Sequence, residues 1–154
     1  MRSDADIQRR PARRRRLGAG AAGLLVMIVG LLVHAIDSGP VTNFTADALY
    51  AVLLYLAVTV AAPRLLPVQV GIIAGGLCVA IELFQLTGIP ATLSDSVVFR
   101  LTLGTSFAAI DLVAYVVGVA AVACCDAVAN YAHSRRISAV AAIAASATAR
   151  QQPE

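Results

Sequence analysis

Four stretches of this 154-residue chain are each apolar for close to the length a helix needs to cross a bilayer, about 20 residues. The first runs from Leu17 to Ile36 with His34 as its one strongly polar member. The second runs from about Ala46 to Ala62, where Pro63, Arg64 and Pro67 break it, and the third from Val68 to Leu86. The fourth runs from Phe107 to about Ala129, ahead of Tyr131, His133, Arg135 and Arg136. Little remains with which to build a water-facing surface: 14% of residues are charged and 59% hydrophobic, against roughly 25% and 45–50% in an ordinary soluble domain. A water-soluble globule is excluded. The expected fold is an all-α, four-helix transmembrane bundle over residues 17–129, with spans at about 17–36, 46–62, 68–86 and 107–129.

The flanks are read the same way. Residues 1–16 form a basic tail, 37–45 a turn-rich connection in which Asn43 or Thr45 caps the next helix, and 87–106 a long loop. Residues 130–154 form an Ala-rich tail whose apolar part, Ile137 to Ala149, is too short to cross and is either helical or disordered. A secretory signal peptide competes for the first span, since Val33-His34-Ala35 resembles a cleavage site, but such apolar regions are usually only about 7–15 residues long. Gly18-x-Gly20-x-x-Gly23 matches a dinucleotide fingerprint without the preceding strand that reading needs, and reads instead as small-residue helix packing. Gly71-x-x-x-Gly75 likewise permits close helix approach in lipid.

The twelve positive residues are all Arg, and seven of them (Arg2, Arg9, Arg10, Arg13, Arg14, Arg15, Arg16) precede the first apolar run. A basic cluster in that place is a topology signal and a contact for anionic lipid headgroups; nucleic acid is not the expected partner. With the N-terminus inside, the cytoplasmic segments hold eleven arginines and the outer segments hold Arg100 alone. Both termini are therefore expected in the cytoplasm, in the cytoplasmic membrane. Cys78, Cys124 and Cys125 lie in apolar runs with no ligand spacing, so they read as small packed residues. No metal or other cofactor is expected.

Three carboxylates interrupt the spans: Asp47, Glu82 and Asp111. An acid at mid-membrane costs roughly 2.5–3.5 kcal/mol on insertion scales, whereas the ten large apolar residues of the third span return roughly 3–6 kcal/mol. That helix tolerates Glu82 without needing it. Glu82 lies four residues before Leu86 and Asp111 four after Phe107, which places both roughly 6 Å below the outer boundary at 1.5 Å per residue. Asp47 opens its span from the same side, and His34 ends the first span there. Tyr50, Gln85 and Tyr115 follow the three acids at helical spacing, giving each a hydrogen-bonding neighbour on its own face. The candidate polar pocket is Asp47, Tyr50, Glu82, Gln85, Arg100, Asp111 and Tyr115. The bland account is that these acids snorkel to water or cap nearby amides.

The segment 87–106 is far longer than the roughly 2–8 residues usual between bundle helices. Its apolar members (Val97, Val98, Phe99, Leu101, Leu103) suggest a lid packed over the outer mouth, with Asp95 and Arg100 near the acids.

Several motifs resemble a known family. Asp47-Ala48-Leu49-Tyr50 opening a span, Tyr55, Pro63-Arg64, Glu82-x-x-Gln85, and Leu103-Gly104-Thr105-Ser106-Phe107 leading into Asp111-Leu112-x-Ala114-Tyr115-x-x-Gly118 are similar to the bacterial integral-membrane domain-of-unknown-function family 2809. The likeness covers roughly residues 17 to 128, with a more distant similarity to VanZ-like membrane proteins. The middle of the long loop departs from the family pattern, so Arg100 is not carried over. The resemblance implies a shared fold and no established activity.

The expected function is that of a non-enzymatic membrane protein whose outer-leaflet polar pocket binds an envelope lipid, glycolipid or other lipophilic ligand. A membrane enzyme using paired carboxylates is the alternative from a second class, although no Ser-His-Asp set, phosphate loop or metal-ligand set accompanies them. A small proton or cation transporter using Glu82 and Asp111 is the third.

Overall fold

A computed structural model describes residues 4–36, 39–87 and 109–149, and these hold four helices and no strand. They are α1 (Asp4–Ile36), α2 (Pro40–Ala61), α3 (Pro67–Gln85) and α4 (Ala109–Ala149). Segments of all four are long and apolar enough to cross a membrane: Pro11–Val33, Pro40–Ala61, Pro67–Gln85 and Ala109–Arg136. The loop expected over 87–106, with Asp95 and Arg100, lies outside the described residues apart from Thr87, and so does the His34 side chain.

Local chemistry moves some boundaries. α2 begins at Pro40, six residues before the expected start, because Gly39 in extended conformation serves as N-cap and Pro40 takes the first helical position, where its missing N–H costs nothing. The Gly39 carbonyl accepts the Asn43 N–H at 3.0 Å, so Asn43 lies inside the first turn instead of capping it. Thr45 is inside as well, its hydroxyl donating back to the Val41 carbonyl at 2.8 Å. α3 starts at Pro67 as its sequence suggests, helped by Gln69, whose side-chain oxygen accepts the Leu66 N–H at 2.9 Å. α1 carries its helix back through the basic segment to Asp4, with Pro11 inside it.

Contacts divide the chain into two units, Met1–Ala123 and Cys124–Glu154. In the first unit the faces are sorted by size. Val70, Ala74, Cys78 and Glu82 form the buried stripe of α3, one residue per turn, while Ile72, Ile73, Leu77, Val79 and Leu83 point outward. On α4, Ala114, Tyr115 and Gly118 face inward and Ile110, Val113, Val116 and Val117 outward. Apart from Val70, Glu82 and Tyr115 these inward positions are small while the large apolar residues face outward, the arrangement lipid favours, because association of helices in a bilayer depends on close backbone approach.

Glycines make three such approaches, and they differ in tightness. A Cβ on Gly20 or Gly23 would meet α2 side chains at 3.8–4.0 Å, and one on Gly71 would meet Val119 at 3.5 Å. These are ordinary contacts. A Cβ on Gly118 would run into the Ala48 carbonyl oxygen, so α4 lies backbone to backbone on α2 there. Gly75 meets nothing, leaving Gly71 as the working member of its pair.

One arginine has a local task. The Arg15 guanidinium donates through Nη1 to the Pro63 carbonyl at 3.0 Å and to the Leu65 carbonyl, tying α1 to the turn between α2 and α3. This places the start of α1 and the Arg64 turn at the same end of the bundle. Arg15→Ala is expected to lower stability by about 1–2 kcal/mol, since bonds from a charged donor contribute roughly 1.5–3 kcal/mol and these are only partly shielded from solvent. Detergent unfolding midpoints and protease nicking at residues 62–66 measure the effect, with exposed Arg16→Ala as the neutral control.

The second unit is helical through Ala149, past the end expected near Ala129. No Pro or Gly interrupts the chain between Gly118 and Pro153, so nothing local stops the helix. Side chains bridge successive turns: Asn130 to Asp126 at 3.0 Å, Ser134 to the Asn130 carbonyl at 3.0 Å, and Arg135 over the Tyr131 ring at 5.6 Å. Cys124 and Cys125 are exposed, not packed as expected, because they lie on open faces of α4.

Candidate functional site

The end of α2, α3 and α4 opposite Arg15 carries the acids, one on each helix. Glu82 is the last residue of the buried α3 stripe and is only 1% exposed. The Tyr115 hydroxyl on α4 donates to its Oε1 at 2.6 Å, a short side-chain bond between α3 and α4. Its other oxygen, Oε2, is buried with no hydrogen-bond partner.

Asp47 and Asp111 are half-buried and stand at the same end of the bundle as Glu82, Asp47 near the start of α2 and Asp111 in the first turn of α4. Further along, α4 crosses α2 backbone to backbone where Gly118 meets Ala48.

The aromatic residues set the wall. The Tyr50 ring lies 6.4 Å from that of Tyr115, tilted by 54°. Below them, Ala51 and Cys78 pack with Tyr115 in a buried layer that separates the acids from the rest of the core. Thus Asp47, Tyr50, Glu82, Asp111 and Tyr115 are brought to one place by three helices. Gln85 is half-buried one turn beyond Glu82, and Arg100 lies outside the described residues.

No carboxyl in this group is ion-paired among the described residues. No group of three or more His, Cys, Asp or Glu there has metal-holding geometry either. An apolar groove of about 380 Å³ lies elsewhere, between α1 and α2, lined by Ala19, Gly20, Gly23, Met27, Leu53 and Leu56. It offers no polar group to orient a ligand, whereas the carboxyl cluster does.

One feature escaped the sequence reading: the role of Arg15 was hidden among six other N-terminal arginines. The inward aim of Glu82, expected from the candidate pocket, had a second signal: Ala74 and Cys78 are small residues at i−8 and i−4 of it, the spacing of a helix-packing face.

Residues 36–119 match the family model described as a protein of unknown function, DUF2809. The chain belongs to that family. The DUF2809 segment takes in Asp47, Glu82 and Asp111 together with the Gly118 crossing, so the whole carboxyl cluster lies within it. The four apolar helices make the chain a multi-pass membrane protein. No curated protein and no solved structure matches it.

Proposed function

We propose that this protein is a non-enzymatic, multi-pass protein of the cytoplasmic membrane that binds an envelope lipid or lipophilic ligand at the Asp47–Glu82–Asp111 cluster. One observation carries the reading: Glu82 is 1% exposed and its Oε2 has no partner. Burying a polar group without a partner costs about 1–3 kcal/mol, more when it is charged, and a ligand donor offsets that cost. Intramembrane ionisable groups that face a bundle interior commonly mark binding or transport sites.

Orientation follows from charge. The Arg15 bond to Pro63 puts the N-terminal arginines and Arg64 at one end, and about 21 Å of α2 separates Asp47 from Ala61. Under the positive-inside tendency the arginines contact cytoplasmic headgroups, and the carboxyls belong to the outer leaflet. The placement of Asp47 and Asp111 at the same end of α2 and α4 favours a second reading, a membrane enzyme in which they act as acid and base on an outer-leaflet substrate.

A photoreactive residue replacing Gln85, activated in intact cells, tests the proposal. A crosslinked lipid or glycolipid that disappears in Glu82→Gln and Asp111→Asn supports binding. Unchanged recovery in both variants overturns it, and a captured species altered in mass between wild type and Asp111→Asn favours catalysis.

A further inference from the structure

We propose that the groove between α1 and α2 holds an acyl chain of an anionic phospholipid whose headgroup is bound by Arg13, Arg16 and Arg64. This site lies toward the arginine end of the bundle and does not depend on the carboxyl cluster. Arg13, Arg16, Gly20, Gly23 and Met27 recur at alternating intervals of three and four residues, so they share one face of α1, which is helical from Asp4 to Ile36. Gly20, Gly23 and Met27 line the groove of about 380 Å³ together with Leu53, Leu56 and Ala57 of α2. The two glycines leave the space open, because a Cβ built on either would meet α2 side chains only at 3.8–4.0 Å. They do not bring backbone onto backbone as Gly118 does. Gly20, Met27 and Ala57 are exposed, so the groove opens sideways within two membrane-crossing segments. Water finds no polar partner there, and a void forfeits the dispersion contacts of its walls, so an apolar chain is the filling that fits.

Charge and length specify which chain. Arg16 is exposed one turn before Gly20, and Arg13 is exposed two turns before it. Arg64 is exposed in the turn whose Pro63 and Leu65 carbonyls accept from Arg15, which holds it beside the same part of α1. Arg15 thus serves the fold, and its exposed neighbours stand at the mouth of the groove. The eleven residues from Arg16 to Met27 rise about 16 Å, which matches the roughly 15 Å of hydrocarbon in one leaflet. A phosphate at Arg16 therefore lays its acyl chain along the whole groove. Guanidinium groups pair with phosphate through two parallel bonds, and a headgroup of net negative charge complements three arginines where a zwitterionic one brings its own cation.

The test places the full chain in nanodiscs containing phosphatidylglycerol and phosphatidylcholine of matched acyl chains in equal amounts, and reads retained lipid by native mass spectrometry after release. Phosphatidylglycerol is expected to be retained about fivefold or more over phosphatidylcholine. The preference should fall to parity in the double variant Arg13→Gln, Arg16→Gln. It should fall equally in Ala57→Leu, which fills the groove from an exposed position and leaves every arginine in place. Removing the same charge from α4, by Arg135→Gln with Arg136→Gln, should leave it unchanged. Phosphatidylglycerol carrying a diazirine midway along one acyl chain should label peptides from residues 19–27 and 53–60, a measurement on the wild type that stands even if Ala57→Leu fails to assemble. Equal retention of the two lipids overturns the proposal. So does an equal loss of preference from both arginine pairs, which would mean diffuse surface charge, or labelling confined to α3 and α4. A wild-type dimer that Ala57→Leu dissociates also overturns it, because the groove would then belong to a second copy of the chain.

Discussion

Gly118→Ala is expected to disrupt the bundle more than the same change at any other described helix glycine. The added Cβ would run into the Ala48 carbonyl oxygen and lie 3.0 Å from its carbon, and both belong to backbone that cannot rotate away. Overpacking generally costs about 1–3 kcal/mol, and relief here requires α2 and α4 to separate, so a loss of about 3 kcal/mol or more is expected. Titration of detergent-solubilised protein with SDS, followed by circular dichroism, measures it. Gly75→Ala, where the new methyl meets nothing, should unfold with the wild type or slightly later, since Ala is the better helix former. The Gly118 variant should also lose ligand capture at position 85, because separating α2 from α4 shifts Tyr115, one turn from Gly118, away from Glu82. If Gly118→Ala and Gly75→Ala unfold together, the backbone contact is absent in the membrane.

Tyr115→Phe should be the next most damaging conservative change. It removes the donor to Glu82 Oε1 while Oε2 already has none, leaving a buried carboxyl with neither oxygen bonded. The expected cost is about 1–3 kcal/mol, the range for leaving a buried hydrogen-bonding group without its partner. Replacing both partners should cost less than orphaning one, so Tyr115→Phe with Glu82→Leu is expected to be more stable than Tyr115→Phe alone. A double-mutant cycle in the same unfolding assay reads the coupling, for which about 1–3 kcal/mol is expected. Additive effects of the two substitutions would mean that the hydroxyl and the carboxyl do not depend on each other.

The two substitutions probe different determinants of one site. Gly118 fixes how closely the helices approach, and Tyr115 answers the acid which that approach encloses. Large apolar residues clothe the outside of α3 and α4, so the bilayer has little reason to choose one rotation of them over another by hydrophobicity. The choice falls to the small and polar residues, which is why a single methyl or hydroxyl is expected to matter so much.

Much of the architecture could be read along the chain. Pro67 marked the start of α3, and the charge breaks at Pro63-Arg64 marked the end of α2. The first turn of α2 was misread because Thr42, Asn43 and Thr45 look like a capping stretch, while Gly39-Pro40 had already begun the helix. The far part of α4 was left open because an alanine run carries weak periodicity; the lack of a breaker decided it.

Number and membrane character of the helices follow from the sequence alone, since hydropathy over about 20 residues is a local sum that needs no partner. So does the presence of an acid near one end of each of α2, α3 and α4. Which way those acids point was decided only by the tertiary structure. Azimuth depends on where two backbones can touch, and that is a property of a pair of helices: Gly118 becomes a contact only when Ala48 lies opposite it. Glu82 likewise became a buried group with one oxygen answered and one waiting only when α4 brought Tyr115 across to it.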